Sequence, residues 1–389
     1  MPTIWPILIL GFVAFVTSFG AHVVAVNLPI YAAQVGVGVA MIGLLIAAYD
    51  AAEVVAKPIF GALADKRGMK QTMLAGILVF VLASLAYLWV PPTLLLLIRF
   101  LQGVGAAALS AVSLALVGAY AAERRGRAYG IYNGIKGAGY VVSPIVGGAI
   151  VLKSGFSMIF VAAAAIGAAA FLFSLALPKP KVDIASNLDD DDDGIGLGAL
   201  RAVFKQSSLW PWYVVTVVNM FFVGILFGFL PVRVYALGYG PLVNGLILTA
   251  VSASYLLIQP VAGALADRVS PAKTIRVGLL LAGLCVVLTP FVSGWMLAAI
   301  AILAGIGVGT VWTNTDALVS QLARGGQLGA TMGVAGTFKE IGDMLGPLLI
   351  GIVSQAFGLT VGFVASGALG LLALALISRR TPAMAKRTG

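Results

Sequence analysis

Charge is scarce in this chain: Asp, Glu, Lys and Arg make up 10% of its 389 residues, and only 14 of them are acidic. One cysteine, Cys285, is present, which excludes an internal disulfide and leaves the redox compartment unread; within its apolar run it reads as a small core residue. No GxxxxGK(S/T) phosphate loop, no HExxH and no nucleophile-triad pattern occurs. Neither nucleotide hydrolysis nor enzyme catalysis therefore has residues to run on, and no cofactor or metal is expected. Long polar stretches are absent too, apart from residues 178–208.

Apolar side chains fill the chain instead. They make up 61% of it, and the mean hydropathy is +1.06, a composition that water-soluble domains of this size do not carry. Apolar runs of about 20 residues, enough for a helix to cross the hydrocarbon of a bilayer, recur from end to end. Barrel strands would alternate polar and apolar residues, and that pattern is absent. Turn residues divide the runs into helices at about 4–33, 40–64, 71–90, 93–120, 128–151, 157–177, 209–237, 241–266, 273–290, 294–322, 329–356 and 359–378. The first run, Ile4 to Ala33, is too long for a signal peptide and follows no basic segment, so it is read as a spanning helix. The expected fold is an all-α polytopic membrane protein of twelve transmembrane helices.

The net charge of +10 is a matter of topology. With both termini on one side, that side collects 18 of the 24 basic residues, including Lys66, Arg67, Lys70, Arg124, Arg125, Arg268, Lys273 and Arg380. The positive-inside rule then places both termini in the cytoplasm and the protein in the cytoplasmic (inner) membrane, with lipids and not nucleic acid as its surroundings.

The two halves repeat. At an offset of 202 residues, LPIYAAQVGVGVAMIGLLI from Leu28 lies over LPVRVYALGYGPLVNGLIL from Leu230, Pro58 over Pro260, and GALADK from Gly61 over GALADR from Gly263. Gly103 and Gly105 fall on Gly305 and Gly307; one residue more puts Lys136 on Lys339, Gly139 on Gly342, Pro144 on Pro347 and Gly148 on Gly351. The expected organisation is two pseudo-symmetric six-helix bundles, 1–177 and 209–389, the second ending in a short cytoplasmic tail, joined by a cytoplasmic linker at 178–208. The linker's Asp189 to Asp193 run lacks the spaced ligands of a calcium loop and reads as solvated. Leu200, Val203 and Phe204 with Arg201 and Lys205 form a short amphipathic pattern suited to the membrane interface.

GALADKRGMK, its weaker copy GALADRVSPAK and the parallel repeat resemble the major facilitator superfamily over essentially the whole chain. IRFLQGVGAA, from Ile98, and GYVVSPIVGG, from Gly139, are similar to two motifs of its twelve-helix drug/proton antiporter branch. That branch usually has Gly where this chain has Ser143, and the second-half loop lacks the Gly and Arg after its Asp-Arg pair. The resemblance implies a monomeric proton-coupled transporter of a small molecule, and a drug or metabolite exporter in particular. A proton symporter importing an organic anion, and a facilitator or nontransporting sensor, stay open.

Charged residues inside the apolar runs are the candidate machinery, because a charge at mid-bilayer costs at least about 2.5–3.5 kcal/mol. Asp50, Glu53, Lys57 and Gly61 share one helical stripe about 80° wide, and Glu53 precedes Lys57 in the favourable order for an intrahelical ion pair. Lys339, Glu340 and Asp343 form a matching set in the eleventh helix, which the family places opposite the second. The expectation is an ionic network of Glu53 with Lys339 and Lys57 with Glu340, Asp50 or Asp343 remaining to take up a proton; a permanent strut is the alternative. The repeat puts Ser252, Tyr255 and Gln259 where the first half has Asp50, Glu53 and Lys57, an asymmetry that favours chemistry over fit. By resemblance Arg99 belongs to proton coupling, its planar guanidinium suited to bidentate bonds.

Lys136 would project toward a central cavity, either to attract an anion or to pair with Glu53, Asp50 or Asp316. His22, Asn27, Tyr31, Gln102, Asn133, Asn219, Trp312, Asn314 and Asp316 are candidate cavity lining, with Phe221, Phe222 and Phe229 as apolar surface or core. Gly139, Ser143 and Gly147, with Pro144 and Gly148, leave a groove in which a facing helix can approach closely, and the family uses it to seal the seam between halves. Gly61, Asp65, Arg67, Gly68 and Lys70 are read as a cytoplasmic gate, Asp65 bonding a helix amino end or basic residue and Arg67 and Lys70 lying near anionic headgroups.

Overall fold

The computed structural model describes residues 4–120, 125–178, 203–324 and 328–380. Among them are thirteen α-helices and no strand. They are α1 (Trp5–Gln34), α2 (Val39–Arg67), α3 (Met69–Ala86), α4 (Leu95–Tyr120), α5 (Arg125–Ser154), α6 (Ser157–Leu175), α7 (Trp210–Gly228) and α8 (Leu230–Ala236). There follow α9 (Pro241–Arg268), α10 (Pro271–Leu288), α11 (Gly294–Leu322), α12 (Leu328–Phe357) and α13 (Leu359–Arg380). The single helix expected at 209–237 is thus two. Pro231 has no N–H to continue the ladder, and the break falls at Phe229, whose φ of −114° leaves the helical range while α8 restarts with Pro231 in its first turn.

Among the described residues ten stretches are long and apolar enough to cross a membrane, including Trp5–Ala32, Val39–Gly61 and Trp210–Ala236, the last running through the break. This is an integral membrane protein. α12 has the length but carries Lys339, Glu340 and Asp343 in its middle. The Asp189 to Asp193 run, Leu200 and Arg201 lie outside the described residues; beyond them Val203 is buried and Phe204 exposed.

The chain divides into two compact units, each including a helical segment from the other half of the sequence. Unit 1 comprises Met1–Val37, Ala48–Asp192 and Tyr239–Thr249; unit 2 comprises Gly38–Ala47, Asp193–Gly238 and Ala250–Gly389. In unit 1, α1 runs along α5 and α3 along α4. In unit 2, α7 runs along α12 and α10 along α11.

Glycine sets these approaches, and the repeat is legible in them. A Cβ on Gly105 would lie 2.6 Å from Phe80 N and 2.9 Å from Gly76 O, where α3 and α4 touch backbone to backbone. Gly307 and Gly278, at the offset of 202, stand in the same relation between α11 and α10, with Gly278 O 2.7 Å from a Cβ on Gly307. Close crossings of this kind let packing and backbone contacts hold helices together where lipid offers no hydrophobic driving force.

α5 carries one further device. Pro144 interrupts its ladder, and Thr249 of α9 inserts its hydroxyl nearby: Ile145 N–H donates to Thr249 Oγ1 at 3.2 Å, and Oγ1 donates to Val141 O at 2.9 Å. The hydroxyl thus bonds both the N–H of Ile145 and the carbonyl of Val141, the pair one helical turn apart beside the proline, and a side chain that inserts in this way satisfies backbone groups next to a proline in a membrane helix.

Candidate functional site

In unit 1 the candidate side chains gather on α2, α3 and α4. Arg99, on the first turns of α4, is 2% exposed. Its guanidinium carbon lies 4.4 Å from the centre of the Tyr49 ring on α2, and Nη1 donates to Gln102 Oε1 at 2.8 Å. A hydrogen-bond chain fixes the amide that receives it. Ser84 Oγ of α3 donates to Phe80 O at 2.8 Å, so it accepts from Gln102 Nε2 at 3.0 Å, and the amide oxygen must face the arginine. Tyr87 OH reaches the same oxygen at 3.5 Å. The π face and amide dipole supply part of what a guanidinium loses on leaving water. Arg99 Nε has no partner among the described residues.

Tyr49 immediately precedes Asp50 on α2, and one turn on, Glu53 Oε2 pairs with Lys57 Nζ at 2.7 Å. Glu53 is buried, while Lys57 keeps 30% of its side chain exposed. The intrahelical pair expected from the spacing is therefore present. Through its ring contact Tyr49 joins Arg99 of α4 to the α2 stripe that carries Asp50 and Glu53. His22 of α1 feels both Arg99 and Lys136. Its Nδ1 must donate to Ser18 O at 3.1 Å, because a carbonyl can only accept, and the Tyr140 ring packs edge-on against the imidazole with ring centres 4.3 Å apart.

Unit 2 holds a small recess between α7, α11 and α12, lined by Thr216, Asn219, Met220, Trp312, Thr315, Asp316 and Lys339. Lys339 Nζ sits 2.7 Å from Asp316 Oδ2 and 5.0 Å from the centre of the Trp312 ring, with Tyr255 stacked on the indole at 5.9 Å. Asn219 Oδ1 and Thr315 Oγ1 are buried there without a hydrogen-bond partner among the described residues. Asp343, one turn beyond Lys339, lies against Gly224 of α7, its Oδ1 3.1 Å from where a Cβ would stand. The pairing of Lys339 with Asp316 was not read from the sequence, although both residues were singled out. The pairings of Glu53 with Lys339 and Lys57 with Glu340 remain expectations from the sequence.

Other candidates fall elsewhere. Asn27 and Asn314 are buried and donate within their own helices, to Val23 O and Thr310 O, both at 2.8 Å. Tyr31 belongs to an aromatic group with Phe156 and Phe160, and Asn133 is exposed. Phe221, Phe222 and Phe229 are core, Phe222 filling the space left by Gly283 and Gly370. Gly139 and Gly147 of the α5 groove face α1: a Cβ would lie 2.9 Å from Phe15 O at Gly139 and 2.9 Å from the Val23 side chain at Gly147. Pro144 and Gly148 face the Tyr239–Thr249 segment, and Ser143 is buried with no hydrogen-bond partner for its hydroxyl among the described residues.

At the α2–α3 turn, Gly68 adopts φ 94°, a conformation glycine takes at no steric cost. Gly61 has open space around it, Arg67 is exposed, and the Asp65 side chain lies outside the described residues. Lys70 makes a contact that was not read from the sequence. Its Nζ donates to Leu175 O at 2.7 Å and Leu177 O at 2.6 Å, so it caps the end of α6, where terminal carbonyls lack helical partners and the dipole is negative.

The Major Facilitator Superfamily family model matches residues 10–244 and again 212–389. The uncharacterized MFS-type transporter Rv1250 of Mycobacterium tuberculosis is 33% identical over 168 residues, 43% of this chain but only 28% of that protein's length. Multidrug resistance protein MdtG of Citrobacter koseri is 24% identical over 366 residues, 90% of this chain and 88% of MdtG. Among solved structures, a bacterial homolog of the human lysosomal transporter Spinster, inward-facing and unoccupied, superposes with TM-score 0.83 at 16% identity, covering 96% of each chain, a likeness of fold. These matches cover both halves of the sequence, and the chain belongs to the Major Facilitator Superfamily of membrane transporters.

Proposed function

We propose that the protein is a proton-coupled secondary transporter, an antiporter that exports a drug-like or metabolite compound by alternating access. The observation that carries this reading is Arg99, a fully buried cation held on Gln102 and on Tyr49, the residue that precedes Asp50 on α2. A carboxylate beside a buried cation keeps its charge, and the same carboxylate with the cation withdrawn favours the protonated form, so relative movement of the two loads and releases a proton. One proton crossing 100 mV supplies about 2.3 kcal/mol, enough for modest accumulation. On this reading the chain is a monomer of two six-helix bundles joined by the 178–208 linker, with both termini in the cytoplasm of an inner membrane. The recess of unit 2 lines the substrate path, and the likeness to proteins named for multidrug resistance supports export.

Energised inverted vesicles test it. Adding a transported compound should raise internal pH as protons leave in exchange. Arg99→Ala and Asp50→Asn should each cut that signal by about tenfold or more, the equivalent of about 1.4 kcal/mol, while binding persists. Uptake into whole cells with no alkalinisation of vesicles would instead make the protein a symporter importing an organic anion, a reading favoured by the lysine in the recess. Substrate distribution unchanged after the gradient is dissipated would leave only a facilitator.

A further inference from the structure

We propose that the recess of unit 2 is a receptor site for a protonated amine, and that Lys339 is a tethered stand-in for that ammonium. The inference rests on the reading above that the recess lies on the substrate path, and it names the class of substrate.

The polar atoms of the recess are those a cation selects. Asp316 supplies a carboxylate, Trp312 the negative face of an indole, Asn219 an amide oxygen and Thr315 a hydroxyl oxygen. Asn219 and Thr315 are each 2% exposed, and Asn219 Oδ1 and Thr315 Oγ1 have no partner among the described residues, a costly state for buried polar atoms. The Thr315 hydroxyl can donate or accept, but Asn219 Oδ1 can only accept, so an occupant that relieves both must bring a donor. An ammonium brings three, whereas a carboxylate or phosphate brings only more acceptors to a wall already carrying Asp316.

The chain's own primary ammonium already marks the place. Lys339 Nζ lies 2.7 Å from Asp316 Oδ2 and 5.0 Å from the Trp312 ring, the two contacts an incoming amine would make. Tyr255 stacks on the indole at 16°, which limits the rotation of the ring. A substrate amine therefore competes with a cation attached to the wall, so its apparent affinity is lower than the site alone would give. Being small, the recess takes the charged head of a compound whose body lies beyond it.

The test uses the purified full chain in nanodiscs and three probes of similar shape: phenethylammonium, 2-phenylethanol and 3-phenylpropionate. The amine should bind at least about tenfold more tightly than the alcohol, and the carboxylate should not compete. Asp316→Asn should weaken the amine by about tenfold or more, and Lys339→Met should strengthen it by a similar factor, because the tethered competitor is gone. Tighter binding of the carboxylate than of the amine, no binding of the amine, or no gain in Lys339→Met overturns the proposal. Should Lys339→Met fail to fold, the three probes on the wild-type protein and on Asp316→Asn decide alone. Amine binding that follows these rules in a protein moving no amine into proteoliposomes would keep the ammonium site and sink the substrate reading. Proton-coupled transport of another compound without amine binding would do the reverse.

Discussion

Arg99 shows how a single buried charge recruits its surroundings. Its contacts run from Tyr49 on α2 through Gln102 on its own helix to Ser84 on α3, and the polarity of every bond follows from Phe80 O being able only to accept. Replacing Ser84 with Ala strands Gln102 Nε2 in a buried site and frees the amide to rotate. The expected cost is about 1–3 kcal/mol, read as a lowered unfolding midpoint of the detergent-purified protein; Ser84→Thr, which keeps the hydroxyl, should retain most of the stability. The sequence reading reached Arg99 and Gln102 because they share a motif. It did not reach Ser84, 18 residues from Gln102 on another helix, since no local pattern records which hydroxyl a buried amide will meet. Lys70 teaches the same lesson: its charge pointed toward headgroups, but the nearest unsatisfied acceptors were carbonyls more than 100 residues along the chain.

At the scale of elements, prolines and glycines decide how the helices sit. Pro231 divides one expected spanning helix into α7 and α8, and Pro144 interrupts the α5 ladder where Thr249 bonds the neighbouring backbone. Thr249→Val keeps the shape of the side chain and removes the hydroxyl. Faster amide exchange at Ile145 is expected in that variant, because its N–H loses a partner, while Thr249→Ser should exchange as the wild type does; equal protection in all three would mean the hydroxyl carries none of the bond. At the offset of 202 the first half has Ala47 in this position, so α2 carries no hydroxyl equivalent to Thr249 to offer α12 at Pro347. Glycine spacing was the most informative feature of the sequence here. The residues that align between the halves, Gly105 with Gly307 and Gly76 with Gly278, are those at which backbones touch within each unit.

For the whole molecule, the distribution of charge is a statement about topology that fusions can check. With 18 of 24 basic residues assigned to one side, a fluorescent protein joined after Gly389 should glow and alkaline phosphatase joined there should be inactive; the opposite pattern would place the carboxyl terminus across the membrane. The sequence by itself determined that the chain is a helical membrane protein, that its halves derive from one template and that it belongs among major facilitator transporters. Those properties reside in the length, hydropathy and spacing of neighbouring residues, which are one-dimensional quantities. Only the tertiary structure decided that Lys339 rests on Asp316 and Trp312, that Lys70 closes α6 and that Thr249 completes α5. Which groups meet depends on the rotation and depth of each helix against its neighbours, and packing between distant residues sets both.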